Sequence, residues 1–150
     1  MENEIKLVRV FATELDALRE YIEALYKHDE DYDSMVNIEA GVKSLMRNEH
    51  LAMPYFIKRG NERVGYVILT KYHSVEKGGL TIYIDELYVE ESHRRGGIGG
   101  KIVDQIAIIA RSEGAKTLWV QTESFNAGAQ TFFKNAGFKA NQYLNFERQL

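Results

Sequence analysis

The sequence predicts a single α/β (α+β) domain, with helices packed on the faces of a mixed sheet. Six stretches have the composition of strands, and four others repeat apolar residues at helical spacing. These elements follow one another in the order β-α-α-β-β-β-α-β-α-β. At 150 residues the chain has the length of one domain, and no linker, repeat or low-complexity run divides it.

The first third of the chain is predicted to form one strand and two helices. Residues 5–11 alternate weakly and favour a strand, after which Thr13 is a predicted N-cap for a helix over residues 14–27. A second helix is predicted over residues 38–46, although Gly41 lowers the helix propensity there.

Turns divide the middle of the chain into antiparallel strands. A glycine-asparagine turn joins a strand at residues 55–57 to a returning strand at residues 64–72, which makes a hairpin. Two successive glycines then turn the chain into a longer strand over residues 80–89.

Two helices and two strands are predicted in the last third. A helix that starts at Ile98 carries isoleucines on one face, and a strand at residues 116–123 follows it. Asn126 is a predicted N-cap for the last helix, which Gly137 stops. Residues 138–148 are predicted to close the sheet as a final strand.

Composition limits the classes of function. The chain is 45% hydrophobic and 27% charged, has a net charge of −3 and contains no cysteine. The acidic balance argues against a nucleic-acid partner, and the lack of cysteine excludes thiol catalysis, disulfides and thiolate metal sites. The sequence shows neither a signal-peptide core nor an apolar run of membrane-spanning length. We therefore expect a cytoplasmic protein with no membrane partner.

The stretch from Arg94 to Gly99, Arg-Arg-Gly-Gly-Ile-Gly, is the strongest functional signal. It joins a predicted strand to a predicted helix, where glycines let a ligand approach the main chain and the first N–H groups of the helix bind anions. The helix dipole and the two arginines add positive charge at the same place. The sequence therefore predicts a phosphate or pyrophosphate site.

Two nucleotide-binding motifs fail at this loop. A Walker A loop ending at Gly100-Lys101 would require a glycine where Arg95 stands, and serine or threonine where Ile102 stands. A Rossmann fingerprint starting at Gly97 would require glycine or alanine in place of Ile102. Both kinds of nucleotide site are therefore disfavoured.

Three motifs, in order along the chain, resemble the GNAT superfamily of N-acetyltransferases. Arg-x-x-Gly-x-Gly at residues 94–99 resembles the loop that holds the pyrophosphate of acetyl-coenzyme A in that family. Asn-x-x-Ala-x-x-Phe-Phe-x-x-x-Gly-Phe at residues 126–138 resembles its late helix-and-turn motif. Residues 84–89 resemble the strand that lies along the pantetheine arm. The hairpin and the two helices that precede these motifs resemble the family only in their order along the chain.

The resemblance implies one acetyltransferase domain over residues 1–150, with a GNAT-like, mostly antiparallel central sheet of six to seven strands flanked by about four helices. It implies direct acetyl transfer in a ternary complex, with acetyl-coenzyme A as co-substrate and no metal. The main-chain N–H of Val89 would polarise the thioester carbonyl. The implied coenzyme-binding residues are Leu87, Tyr88, Val89, Arg94, Arg95, Gly96, Gly97, Ile98, Gly99, Gly100, Asn126 and Phe133.

The catalytic base implied by the resemblance is Asp85 or Glu86, acting through water on the amine proton. Adjacent strand residues point to opposite faces, so at most one of the two is expected to face the acceptor. Phe133 departs from the family, in which many members carry a tyrosine that protonates the leaving thiolate. Either the thiolate leaves without an acid, since a thiol has a pKa of about 8.5, or another group such as Tyr88 or Tyr143 serves.

The acceptor stays open between a small cationic amine, such as a polyamine or an aminoglycoside, and a protein amine. Residues 28–33 are acidic and could attract such an amine, or they could form a solvated loop. Phe133 supports a second hypothesis, an acyl-coenzyme A sensor or regulatory module with little catalysis. The four histidines lack metal-ligand spacing. Homodimers are common in the family, so the resemblance allows a homodimer, but the sequence does not determine the oligomeric state.

Overall fold

A five-stranded mixed sheet forms the centre of the fold in the computed structural model, which describes residues 4–28 and 35–150. Neighbouring strands are antiparallel, except that the last two run parallel. The strands lie in chain order: β1 Ile5–Arg9, β2 Ala52–Arg59, β3 Glu62–Ser74, β4 Gly79–Val89 and β5 Thr117–Val120.

Four α-helices pack around this sheet in the described part of the chain. They are α1 Leu15–His28, α2 Met35–Leu45, α3 Ile98–Ser112 and α4 Ala127–Asn135, and short 3-10 helices at Ala12–Glu14 and Glu91–His93 precede α1 and α3. Thr13, the predicted cap of α1, lies within the first 3-10 turn. The Glu14 carboxylate caps this turn, since it accepts the N–H of Phe11 at 3.1 Å.

Two apolar cores lie on opposite faces of the sheet. Successive residues Tyr66, Val67 and Ile68 of β3 alternate between them, as the period of a strand requires. The isoleucine face of α3 packs on one core, where Ile102 and Ile106 are fully buried. Helices α1 and α2 cover the other core. The helical spacing in the sequence therefore predicted the buried face of α3 correctly.

The expectation of six to seven strands is wrong for the described residues, because residues 138–148 form no strand. Residues 139–150 have no regular secondary structure, and all of them are exposed. Alternating apolar residues favour an extended chain, but a strand also requires an edge with which to pair, and this segment forms no ladder with the sheet. Among the described helices, none is both long and apolar enough to cross a membrane.

Candidate active site

A cavity of about 640 Å³ opens where β4 and β5 separate. The ladder between the two strands begins where Thr81 pairs with Thr117 and ends where Ile84 pairs with Val120. Strand β5 ends at Val120, whereas β4 continues to Val89. The walls come from four places: residues 84–87 of β4, residues 120–123 after β5, the last turns of α1, and α4. The glycine loop follows the same β4 strand. Strand divergence thus creates a pocket next to the predicted anion site.

A β-bulge brings both candidate carboxylates to this cavity. Glu86 pairs with Ile68 of β3 and Ile84 pairs with Leu69, so Asp85 is an extra residue with no partner in the ladder. A bulge interrupts the two-residue alternation of a strand. Both Asp85 and Glu86 therefore line the same cavity, and the expectation that at most one of them faces the acceptor stays a prediction.

Two tyrosines hold the Glu86 carboxylate. The hydroxyl of Tyr26, from α1, donates to Oε1 at 2.6 Å, and the hydroxyl of Tyr66, from β3, donates to Oε2 at 3.0 Å. Burial raises the pKa of the Glu86 carboxyl above its usual value, the tyrosine hydrogen bonds partly offset this rise, and the negative charge of Asp85 adds to it. The outcome is an oriented carboxylate that is more basic than a solvated one.

Asp85 differs from Glu86 in what surrounds it. Burial raises the pKa of its carboxyl as well, and its charge contributes to a raised pKa of the Tyr83 phenol, of which burial is the larger cause. Glu86 is fixed by two tyrosine donors, and its orientation is therefore the better defined of the two.

The main chain at the end of β4 is directed into the gap between the strands. The N–H of Glu90 donates to the carbonyl of Val64 in β3 at 2.8 Å. Because antiparallel strands alternate the direction of their main-chain groups, the groups of Leu87 and Val89 point away from β3, toward the open side. This edge has no β5 partner beyond Ile84, so an extended ligand can pair with it as an added strand.

The glycine loop has an unusual backbone. Arg95, Gly96 and Gly97 have successive φ values of 80°, 70° and 78°, all in the left-handed region. Gly97 is the N-cap of α3 and supplies no side-chain cap, so the first N–H groups of the helix keep no intrahelical acceptor. Consecutive left-handed residues ahead of a helix form a concave anion site, and a Cβ at Gly96, Gly97 or Gly100 would meet nothing within 4 Å. The residues present therefore fit a pyrophosphate.

Three residues implied by the resemblance also have structural roles. The Arg94 Nε donates to the carbonyl of Val89 at 2.6 Å, which ties the loop to the end of β4. Gly99 lies so close to α4 that a Cβ would be 2.6 Å from the Phe132 ring. The Ile98 side chain is buried in the core under α3, so only its main chain is free to contact a ligand.

Asn126 has two roles. Its side-chain oxygen accepts the N–H of Ala129 at 3.0 Å, which caps α4 as predicted. The residue also lines the cavity. The cap therefore orients a polar side chain at the cavity wall.

Phe133 lines the cavity and contributes no proton donor there. Its ring packs edge to face with those of Phe132 and Phe138, at centroid distances of 5.0 and 5.4 Å. Neither proposed substitute lines this cavity. Tyr88 packs in a cluster of tyrosines under Arg94, and the Tyr143 side chain is 66% exposed.

Sequence reasoning missed the two tyrosines that bind Glu86. Tyr26 follows Ile22 by one helical turn, a spacing that places it on the sheet-facing side of α1. For Tyr66 the sequence offers only its position in a strand. The acidic loop at residues 29–33, which the sequence suggested for the acceptor, lies outside the described residues. Within the ranges that the structure covers, no three acidic or histidine side chains are grouped as metal ligands.

Known acetyltransferases are similar to this chain in sequence and in fold. The model of the acetyltransferase (GNAT) family matches residues 14–138. The thialysine N-epsilon-acetyltransferase of Bos taurus is 32% identical over 74 residues, which are 49% of this chain and 43% of that protein. The chain thus matches less than half the length of this curated relative.

Solved structures share the whole fold. A possible acetyltransferase from Clostridium difficile 630 superposes with a TM-score of 0.83 at 21% identity and covers 97% of each chain. An aminoglycoside N-acetyltransferase in complex with CoA superposes with a TM-score of 0.78 at 14% identity, over 97% of this chain and 95% of that one. At these identities the likeness concerns the fold.

Proposed function

Because the chain belongs to the GNAT acetyltransferase family, we propose that it transfers the acetyl group of acetyl-coenzyme A to a primary amine, directly in a ternary complex, and that residues 1–150 act as one acetyltransferase domain. One observation carries the proposal: the oriented, half-buried carboxylate of Glu86 lies on the wall of a cavity that begins where β5 ends. The anion loop follows on the same strand.

The coenzyme, as the acyl-donating substrate, fits two features of the chain. The left-handed loop at residues 95–97, the first N–H groups of α3, and Arg94 and Arg95 would bind its pyrophosphate. The outward main-chain groups of Leu87 would pair with the amides of its arm, since the carbonyl of Val89 already accepts from Arg94. The N–H of Val89 would then donate to the thioester oxygen, which becomes negatively charged as the amine attacks.

Glu86 serves as the base in this proposal. An alkyl ammonium has a pKa of about 10.4 and cannot attack until it loses a proton. The Glu86 carboxylate, with its pKa raised by burial, would take that proton directly or through one water. The amine nitrogen then forms a bond to the carbonyl carbon, the carbon–sulfur bond breaks, and the sulfur leaves with the electron pair.

Phe133 implies that the thiolate departs without a protein acid. The hydroxyl of Tyr26 already donates to Glu86, and a thiolate of pKa about 8.5 is a stable enough leaving group near neutral pH. The lack of a proton donor at Phe133 also supports the second candidate function, a coenzyme-binding sensor with little catalysis.

The acceptor that fits best is a small cationic amine. The charged residues that line the cavity, Asp85, Glu86 and Glu123, are all acidic, and such a lining attracts cations. The aminoglycoside N-acetyltransferase with the same fold and the thialysine N-epsilon-acetyltransferase both bear names of amine-acetylating enzymes, which supports this class of acceptor. A protein amine remains the alternative acceptor.

Release of free thiol tests the proposal. The chain contains no cysteine, so a thiol reagent reports coenzyme A alone. We expect acetyl-coenzyme A to be consumed with at least one amine from a panel of polyamines, aminoglycosides, lysine analogues and peptides, and we expect Glu86→Gln to abolish most of this activity. Tight coenzyme binding without thiol release from any amine would favour the sensor, and no binding at all would refute both.

A further inference from the structure

Three aromatic side chains form a strip on one face of the sheet, outside both apolar cores. They are Tyr72 of β3, Tyr83 of β4 and Trp119 of β5, and we call them the aromatic strip. Tyr83 pairs directly with Trp119, and the rings of Tyr72 and Trp119 meet edge to face at a centroid distance of 5.7 Å. Tyr72 is 44% exposed, the other two are half-buried, and neither core of the described chain includes them. The strip therefore presents ring surface for contact.

The bulge at Asp85 puts the aromatic strip and the candidate base on the same face of the sheet. Glu86 lies opposite Ile68 of β3, and Tyr83 lies opposite Thr70. Ile68 and Thr70 are two residues apart in β3, so they share a face. In a regular strand, residues 83 and 86 would point to opposite faces, because they are three positions apart. With the bulge between them, Tyr83 follows Glu86 on one face at a distance of about 7 Å along the sheet.

The strip is apolar at its centre and adjoins carboxylates at one end. Thr81 lies between Tyr72 and Thr117 in the sheet, and the hydroxyls of the two threonines share a hydrogen bond of 2.8 Å. These hydroxyls are already paired, so recognition on the strip depends on the rings. At the other end, burial and then the charge of Asp85 raise the pKa of the Tyr83 phenol. The acidic cavity and the aromatic strip are therefore neighbours.

We propose that the acceptor is a primary amine with an aromatic body, which lies on the aromatic strip while its nitrogen is at Glu86. The inference rests on the proposed function, because it assigns the acceptor of the same cavity. The acidic lining of the cavity attracts the ammonium group, and an aryl ring fits against Tyr83 and Trp119 in offset or edge-to-face contact. A propyl link between ring and nitrogen spans the distance of about 7 Å.

A polyamine is the alternative occupant of the strip. Its second ammonium group can contact ring faces, but the aromatic strip consists of three rings above two paired hydroxyls and carries no carboxylate of its own. An ammonium group placed there would lose hydration without gaining an ion pair. An uncharged aromatic body is therefore the better match for this surface.

Fluorescence tests the proposal without catalysis, because Trp119 is the single tryptophan of the chain. We expect 3-phenylpropylamine to change the tryptophan emission saturably, both with and without coenzyme A, which donates no acetyl group. This amine should bind at least about tenfold more tightly than propylamine, which lacks only the ring. Thiol release from acetyl-coenzyme A should show the same preference in kcat/KM.

Three variants locate the preference on the strip. Tyr83→Ala removes the ring closest to Glu86 and keeps the tryptophan, so it should reduce the preference for 3-phenylpropylamine by about fivefold. Tyr83→Phe keeps the ring and should retain the preference, which separates ring contact from the hydroxyl. Phe11→Ala, the control, removes a 65% exposed ring that precedes α1 and should change neither binding nor thiol release. Circular dichroism checks that each variant is folded.

Equal binding of 3-phenylpropylamine and propylamine to the parent protein would overturn the proposal, and so would an undiminished preference in folded Tyr83→Ala. Tighter binding of spermidine than of 3-phenylpropylamine would assign the strip to a cation and count equally against it. Thiol release with both amines at equal kcat/KM would refute this inference and leave the proposed function intact. Preferential binding of 3-phenylpropylamine without thiol release from any amine would support the strip and refute acetyl transfer.

Discussion

Replacing Glu86 by glutamine separates the chemical role of this side chain from its effect on folding. Glutamine keeps the size of the side chain and an oxygen that can accept from Tyr26 or Tyr66, but it cannot take a proton from an amine. Since general base catalysis contributes about 10²- to 10⁴-fold, we expect kcat/KM to fall by at least about 100-fold. The KM for acetyl-coenzyme A should change little, because Glu86 lies outside the anion loop.

The same substitution should increase stability at neutral pH. Burial raises the pKa of Glu86 in the folded state, so the native protein binds a proton more readily than the unfolded chain between the ordinary and the raised pKa. The free energy of unfolding therefore decreases as the pH rises through this window. Each unit by which folding raises the pKa of Glu86 lowers the free energy of unfolding at neutral pH by about 1.4 kcal/mol. The two tyrosine hydrogen bonds lower this pKa and so offset part of the loss.

Urea denaturation and thiol release, each followed over a pH series, test both expectations. The stability of Glu86→Gln relative to the parent should be smallest in acid and should increase toward neutral pH. Asp85→Asn is the matched control, since it removes the neighbouring carboxylate of the same cavity and leaves both tyrosine hydrogen bonds to Glu86 in place. The reasoning is refuted if Glu86→Gln keeps more than about a tenth of the activity, or if its relative stability is greatest in acid.

Three further predictions concern single positions. Gly65→Ala would place a Cβ 2.1 Å from the carbonyl oxygen of Tyr88, so the free energy of unfolding should fall by more than about 1 kcal/mol and the urea midpoint with it. In Gly41→Ala the added Cβ has nothing within 4 Å, so this variant should stabilise helix α2 by about 0.5 kcal/mol. Equal changes in the urea midpoints of the two variants would contradict this reasoning. Arg95→Gly and Arg95→Ala should weaken coenzyme binding equally in calorimetry. Because residue 95 has a φ of 80°, the glycine variant should be more stable to unfolding than the alanine variant by about 1 kcal/mol. Equal stability of the two variants would argue against backbone strain at this position. Phe133→Tyr should increase kcat below a pH of about 8.5, where a proton assists the leaving thiolate, and have no effect above it; a uniform effect at all pH values would argue against a role in protonation.

The features that the sequence predicted well depend on local patterns. The isoleucines of α3 repeat at helical spacing, and the glycines before Ile98 have left-handed conformations that other residues avoid. Asn126 caps its helix because its side chain reaches an N–H three residues later. Each of these signals is complete within a few residues, so one sequence is sufficient to find it.

The features that it missed depend on contacts between distant segments. The bulge at Asp85 arises from the pairing of β4 with β3, and alternation within β4 alone gives the opposite orientation. Tyr26 and Tyr66 reach Glu86 across 60 and 20 positions of sequence. The strand expected at residues 138–148 needs a neighbouring strand with which to pair, and this segment forms no ladder with the sheet.

The bulge at Asp85 has a consequence for how the specificity of this enzyme can change. A residue in a regular strand has two tasks, because its main chain holds the ladder while its side chain fills a face. Asp85 takes no part in the ladder, yet it lines the cavity. Substitutions there can alter the charge presented to an acceptor while the register of β4, the position of Glu86 and the start of the anion loop stay as they are. Laboratory selection for new acceptors should therefore accumulate changes at Asp85 before it alters Glu86.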